Sequence, residues 1–89
     1  MAERSVTIAS RVGLHARPAM IFVQTVSSLG VPVLIAKPGD EPVDASSILG
    51  VMALGAKFGD EVVLAANGDS ADSVLDELVG LLSRDLDAE

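Results

Sequence analysis

The sequence predicts an α+β domain in which three amphipathic helices lie on one face of a largely antiparallel sheet of four short strands, in the order βαββαβα. Four segments alternate with period two or form short β-branched runs, three others repeat their apolar residues at three- and four-residue spacing, and glycine, proline or Asn-Gly marks the junctions. At 89 residues a chain buries only roughly 60 to 65% of its unfolded surface, enough for one core, so residues 1–89 are expected to form a single domain.

The first strand is read in "RSVTIAS", where Val6 and Ile8 alternate with polar neighbours. From Ala16 the period changes, and Ala19, Phe22, Val23, Val26 and Leu29 line one face of a helix that Gly30 and Pro32 end. "VPVLIAK" is a β-branched run, "PGDEP" a turn and "VDA" a brief return strand, together a hairpin. "SSILGVMALG" predicts a short helix, and "GDEVVLAANG" a strand between two turns. From Ser70, the residues Ala71, Val74, Leu75, Leu78, Leu81 and Leu82 share one stripe, which predicts a terminal helix capped by Asp69 or Ser70. No repeat, low-complexity tract or linker interrupts this order.

Composition excludes several function classes. Only Phe22 and Phe58 are aromatic, which argues against nucleic-acid binding by base stacking, and a net charge of −7 repels phosphate backbones and anionic membranes. The absence of cysteine removes disulfides, thiolate metal sites and thiol nucleophiles; the stretch "MAERSVTIAS" lacks the apolar run expected of a signal peptide, and no segment approaches about 18 uninterrupted apolar residues. A monomeric cytoplasmic protein without metal, cofactor or membrane insertion is expected. The charge is uneven: residues 1–37 carry Arg4, Arg11, Arg17 and Lys37 against Glu3 alone, whereas residues 38–89 carry twelve acids against Lys57 and Arg84.

The only histidine lies in the basic part, in "SRVGLHARPAM". Pro18 has its φ pre-set for a helix and no N–H to lose, so it belongs in a first turn, with Arg17 beside it and His15 just outside. Free backbone N–H groups around Ala16 and Arg17, the positive end of the helix dipole and the forked guanidinium of Arg17 together attract an anion. An unprotonated ring nitrogen is a nucleophile, and a phosphoryl group taken by His15 would place its charge where those donors point. Gly13 lets the chain bend before the ring. A surface histidine or partial cap would account for "HAR" alone; the proline and the local basic excess favour the phosphate site.

"GLHARPA", followed by "SSILGVMALGAKFGDEV", resembles the HPr family, the histidine-containing phosphocarriers of the bacterial phosphoenolpyruvate-dependent sugar phosphotransferase system. The resemblance covers the whole chain in element order. It implies an open-faced β-sandwich, a four-stranded antiparallel sheet covered on one side by three helices. It also implies that phospho-enzyme I phosphorylates His15, that enzyme IIA domains receive the group during sugar uptake, and that Arg17 stabilises the charge while Pro18 shapes the site. Such a protein is a stoichiometric carrier rather than an enzyme with turnover, and the sequence shows no second acid–base group, metal cluster or nucleotide motif beside His15. The family's regulatory serine falls on Ser47, with Ser46 the second candidate, and a serine kinase or phosphatase would be a further partner. A phosphate on Ser47 would set a dianion beside an apolar docking patch of Ile48, Leu49 and Met52. Capping alone also accounts for both serines, and core packing for the three apolar residues. The alternative function is a regulatory phosphoprotein module, acting on a transcription regulator or a non-sugar phosphotransferase branch and switched at His15 or Ser47.

Two features depart from the family's common pattern. Position 12, often small and polar, is Val12, with Ser10 or backbone groups expected to hydrogen-bond near the ring instead. The basic residues common on the first helix and before the regulatory serine are absent from "QTVSS" and from Ala45-Ser46.

Overall fold

The computed structural model describes residues 1–86, so the last three residues of the expected domain lie outside the described residues. Seven elements follow in the expected order: β1 (Ala2–Thr7), α1 (Ala16–Leu29), β2 (Val33–Ala36), β3 (Val43–Asp44), α2 (Ile48–Ala53), β4 (Glu61–Ala66) and α3 (Ala71–Leu82). The four strands form one antiparallel sheet in the order β1-β4-β2-β3, so the last strand lies between the first and second.

Strand periodicity decides which face is covered. Val6 pairs with Val62, Leu64 with Ile35, Ile35 with Val43, and Ala66 with Val33. Apart from the half-buried Val43 these residues are buried, whereas Glu3, Ser5, Thr7, Leu34, Asp44 and Glu61 on the other face are exposed. The helices pack on the covered face, with α3 against β1 and β4, and α1 against α2 and α3. Phe22, wholly buried, is the aromatic centre of a core otherwise built from Val, Leu, Ile and Ala.

The ends of α1 follow from its sequence. Pro18 and Ala19 are buried in the first turn, and Gly30 closes the helix with φ +71, a left-handed conformation that costs glycine little. The start of α3 differs from expectation: Ser70 is its N-cap, but with φ −94 and ψ 3 its side chain caps nothing. Side-chain capping needs an extended N-cap backbone to aim the hydroxyl at the first N–H groups, and this residue lacks it. The helix is instead tied to the sheet by Arg4, whose guanidinium bonds Asp72 at 3.0 Å and Asp76 at 3.2 Å, one turn apart on α3. The bonds to Asp72 and then Asp76 raise the Arg4 pKa above its ordinary value.

Candidate functional site

His15 is held between two anchored segments. Upstream, a turn closes with the Gly13 N–H donating to the Ser10 carbonyl at 2.8 Å, and the Leu14 N–H donates to the Ala56 carbonyl at 2.9 Å while the Leu14 side chain is buried. Downstream, Pro18 and Ala19 are buried in α1. With neighbours on both sides fixed in the core, His15, Ala16 and Arg17 are left exposed.

Gly13 does more than bend the chain. Its φ is +78, and a Cβ built on it would lie 2.6 Å from the Ala56 carbonyl oxygen and 3.0 Å from Lys57 Cα, so only glycine lets the two backbones approach this closely. The ledge that receives Gly13 is itself pinned. The Asp60 carboxylate accepts from the Lys57 N–H at 2.9 Å, the Asp60 N–H returns to the Lys57 carbonyl at 2.9 Å, and residues 59 and 60 pair with Ile8. The Lys37 ammonium stands 3.7 Å from the same Asp60 oxygen.

At the helix start, His15 is the N-cap with φ −146 and ψ 160, and its ring makes no capping bond. Ala16 has φ +51, a left-handed conformation in a residue that carries a Cβ. Such a conformation costs about 1–2 kcal/mol outside glycine and is held here by the buried residues on either side. A left-handed residue followed by a helical one turns successive N–H groups into one concavity, a nest for an anion. Here the nest has two donors, Ala16 and Arg17, because Pro18 has none, and neither finds an acceptor among the described residues. The Arg17 side chain is exposed and forms no ion pair among the described residues. An exposed histidine is thus followed in the chain by two backbone donors and an exposed arginine, a set of groups able to take and hold a tetrahedral anion.

Ser10 is not near-ring support. Its hydroxyl is buried, accepts from the Leu86 N–H at 2.9 Å and points to the Arg84 carbonyl at 3.4 Å, so it fastens the segment after α3 to the loop before the histidine. Val12 is half exposed and supplies neither donor nor acceptor from its side chain.

Ser47 is the N-cap of α2, and its Oγ accepts from the Gly50 N–H at 3.1 Å. Ser46 is exposed, and its N–H and hydroxyl both donate to the Asp44 carboxylate, at 2.9 and 2.7 Å. Of the apolar residues on α2, Leu49 is 78% exposed, whereas Ile48 and Met52 are half-buried against the core. Met20 on α1 is also exposed, a surface apolar residue the sequence reading passed over although it lies off the Ala19–Phe22–Val26 stripe. Phe58, the aromatic between Lys57 and Gly59, is exposed too. Among the described residues no group of His, Cys, Asp or Glu could hold a metal ion, and no helix is long and apolar enough to cross a membrane.

Known proteins resemble this chain over nearly its whole length. The family model described as "PTS HPr component phosphorylation site" matches residues 2–84. The chain is 47% identical over 87 residues to the phosphocarrier protein HPr of Streptomyces coelicolor, covering 98% of this chain and 94% of that protein. It is 42% identical over 82 residues to the phosphocarrier protein HPr of Haloferax volcanii, covering 91% and 92%. The crystal structure of HPr-C-His from Thermoanaerobacter tengcongensis superposes with a TM-score of 0.89 at 38% identity, over 100% of this chain and 99% of that one. With its open-faced βαββαβα sandwich and an exposed histidine at the start of the first helix, the chain belongs to the HPr family of phosphotransferase-system phosphocarriers.

Proposed function

We propose that His15 carries the phosphoryl group, which it accepts from phospho-enzyme I and donates to enzyme IIA domains during sugar uptake in the cytoplasm. The observation that supports this most is the exposed His15 followed by the N–H groups of Ala16 and Arg17, which find no acceptor among the described residues, and by the exposed Arg17 side chain. In the accepting step a ring-nitrogen lone pair forms the N–P bond as the donor's bond to phosphorus breaks, and the donor keeps that electron pair. The proton of the neutral imidazole stays on the other ring nitrogen. The backbone donors and Arg17 meet the charge on the phosphoryl oxygens in both directions of transfer, so they favour exchange over retention. Pro18 keeps this geometry by fixing the first turn without adding a competing donor.

Labelled phosphoenolpyruvate with enzyme I should load one acid-labile phosphate per chain and pass it on when an enzyme IIA domain is added. His15→Ala should take none, and Arg17→Ala should exchange more slowly while folding normally. Loading that survives His15→Ala would refute the assignment.

A second, regulatory reading rests on Ser47. A phosphate there would lose the present hydroxyl cap and place a dianion two residues before the exposed Leu49, making that surface a poor match for an acidic protein. A phosphosite survey of cells under different carbon sources tests it, and a Ser47 never found modified would discard it.

A further inference from the structure

We propose that the uncovered face of the sheet is a docking surface for an amphipathic helix of another protein, one whose apolar stripe is flanked on both sides by lysine or arginine. This goes beyond the reading of His15 and does not depend on it.

The strand register carries the argument. Glu3 on β1 pairs with Ala65 on β4, Ala65 with Leu34 on β2, and Leu34 with Asp44 on β3, so one row crosses the whole sheet. Its order is acid, apolar, apolar, acid. The next row repeats the apolar centre, with Val63 opposite Ala36 and Ser5 outside them. Side chains two residues apart share a face, so Leu34, Ala36, Val63 and Ala65 form one strip along the middle of the sheet. A lone exposed leucine is ordinary on a folded protein. Leu34 differs because it borders a hollow of about 260 Å³, which Met1, Pro32, Ala65, Ala66 and Asn67 also line. Asn67 is the one polar side chain in that lining.

Geometry and charge identify the occupant. Neighbouring strands lie about 4.8 Å apart, so three spacings set the Glu3 and Asp44 backbones about 14 Å from each other. A helix with its side chains is about 10–12 Å across. Laid along the strip, it presents aliphatic residues to the hollow while the cations on its two flanks meet the two carboxylates. Those carboxylates are available. Neither Glu3 nor Asp44 makes an ion pair among the described residues, and the cations next to the strip are engaged elsewhere, Arg4 with Asp72 and Asp76 and Lys37 with Asp60. The Ser46 N–H and hydroxyl both bond one oxygen of Asp44, which holds that carboxylate in place before a partner arrives. A net charge of −7 attracts a basic segment and disfavours both a second copy of the chain and an anionic membrane. Because β4 and β2 are paired on both edges, the middle of the sheet offers side chains rather than backbone, which suits a helix and not an added strand.

The probe is a helical peptide of leucine and lysine, with the leucines on one stripe and lysines on both flanks, titrated into the isotope-labelled full chain and followed by amide NMR. Shifts should concentrate on Glu3, Leu34, Asp44, Ala65 and Asn67. Leu34→Ser should weaken binding about tenfold, the effect of losing one well-packed anchor. Glu3→Gln/Asp44→Asn should weaken it about fivefold at low salt and less than about twofold in 1 M salt, where the Debye length is about 3 Å. A peptide of the same composition with its leucines scattered should bind at least about tenfold more weakly. Equal binding of the two peptides, shifts centred on the acids of α3, or no binding at all overturns the proposal. In cells, a photo-crosslinking phenylalanine analogue at position 34 should join the chain to a segment whose sequence, read by mass spectrometry, is a basic amphipathic helix. A cross-link to a second copy, to lipid or to an acidic segment, or none, overturns it as well. Circular dichroism of each variant separates lost docking from lost fold, and if Leu34→Ser does not fold, the charge variant and the cross-link decide.

Discussion

Replacing Gly13 by alanine tests how the histidine loop is held. Two costs are separable. A left-handed φ of +78 costs a non-glycine residue about 1–2 kcal/mol, partly offset by about 0.4–1 kcal/mol from the stiffer unfolded chain. The new methyl must also be fitted 2.6 Å from the Ala56 oxygen and 3.0 Å from Lys57 Cα, both backbone atoms in a segment pinned by Asp60. Overpacking against atoms that cannot yield costs about 1–3 kcal/mol. The expected net loss is about 2–4 kcal/mol, or a fall in Tm of roughly 10–20 °C for a domain of this length. Gly30 is the control, because its φ is +71 but nothing lies within 4 Å of its Cβ position. Gly30→Ala should therefore cost only the backbone part, about 1 kcal/mol or less. Urea unfolding of both variants, extrapolated to water with m unchanged, gives the difference directly. If Gly13→Ala and Gly30→Ala agree within about 0.5 kcal/mol, the close approach to Ala56 is not a constraint, and the account of how His15 is presented is wrong.

Three other outcomes follow from the geometry. Ala16→Gly should stabilise the fold by about 0.5–1 kcal/mol, since glycine adopts φ +51 without strain; thermal unfolding reads this as a rise of a few degrees. Ser47→Ala should destabilise by about 1 kcal/mol through the lost cap on the Gly50 N–H, while Ser46→Ala should cost less because its bonds to Asp44 are exposed; urea midpoints compare the two. Asp44 is held below its ordinary value of 3.8 by the Ser46 hydroxyl and then the Ser46 N–H. Its contribution is therefore full above that value and is lost as pH falls through the lower folded value, so Asp44→Asn should flatten stability against pH only below about pH 4.

The parts of the fold set by local chemistry were legible in the sequence. Pro18 and Gly30 bound α1, the alternation around Val6 marked β1, and the turn residues around Gly39 separated the hairpin strands. The histidine, its arginine and the helix start were legible because all three lie within four consecutive residues. What was not legible depended on distant neighbours. Ser10 meets Leu86 across the whole chain, and no local pattern tells a hydroxyl that it will face a C-terminal segment rather than a ring. Ala16 is left-handed because Leu14 on one side and Pro18 on the other are both drawn into the core, a constraint that propensity does not express. Ile48, Leu49 and Met52 look alike in sequence, yet helical phase leaves only Leu49 largely exposed. Ser70 occupies a cap position with the right side chain and the wrong backbone.

The most direct test of the central claim is to observe the bond. Phosphorus and nitrogen NMR on protein labelled in its one histidine, incubated with phosphoenolpyruvate and enzyme I, should show a single phosphorus coupled to a ring nitrogen of His15. The signal should be lost on brief acid treatment and absent from His15→Ala. An acid-stable phosphate, or a phosphorus signal that persists in His15→Ala, would contradict the account.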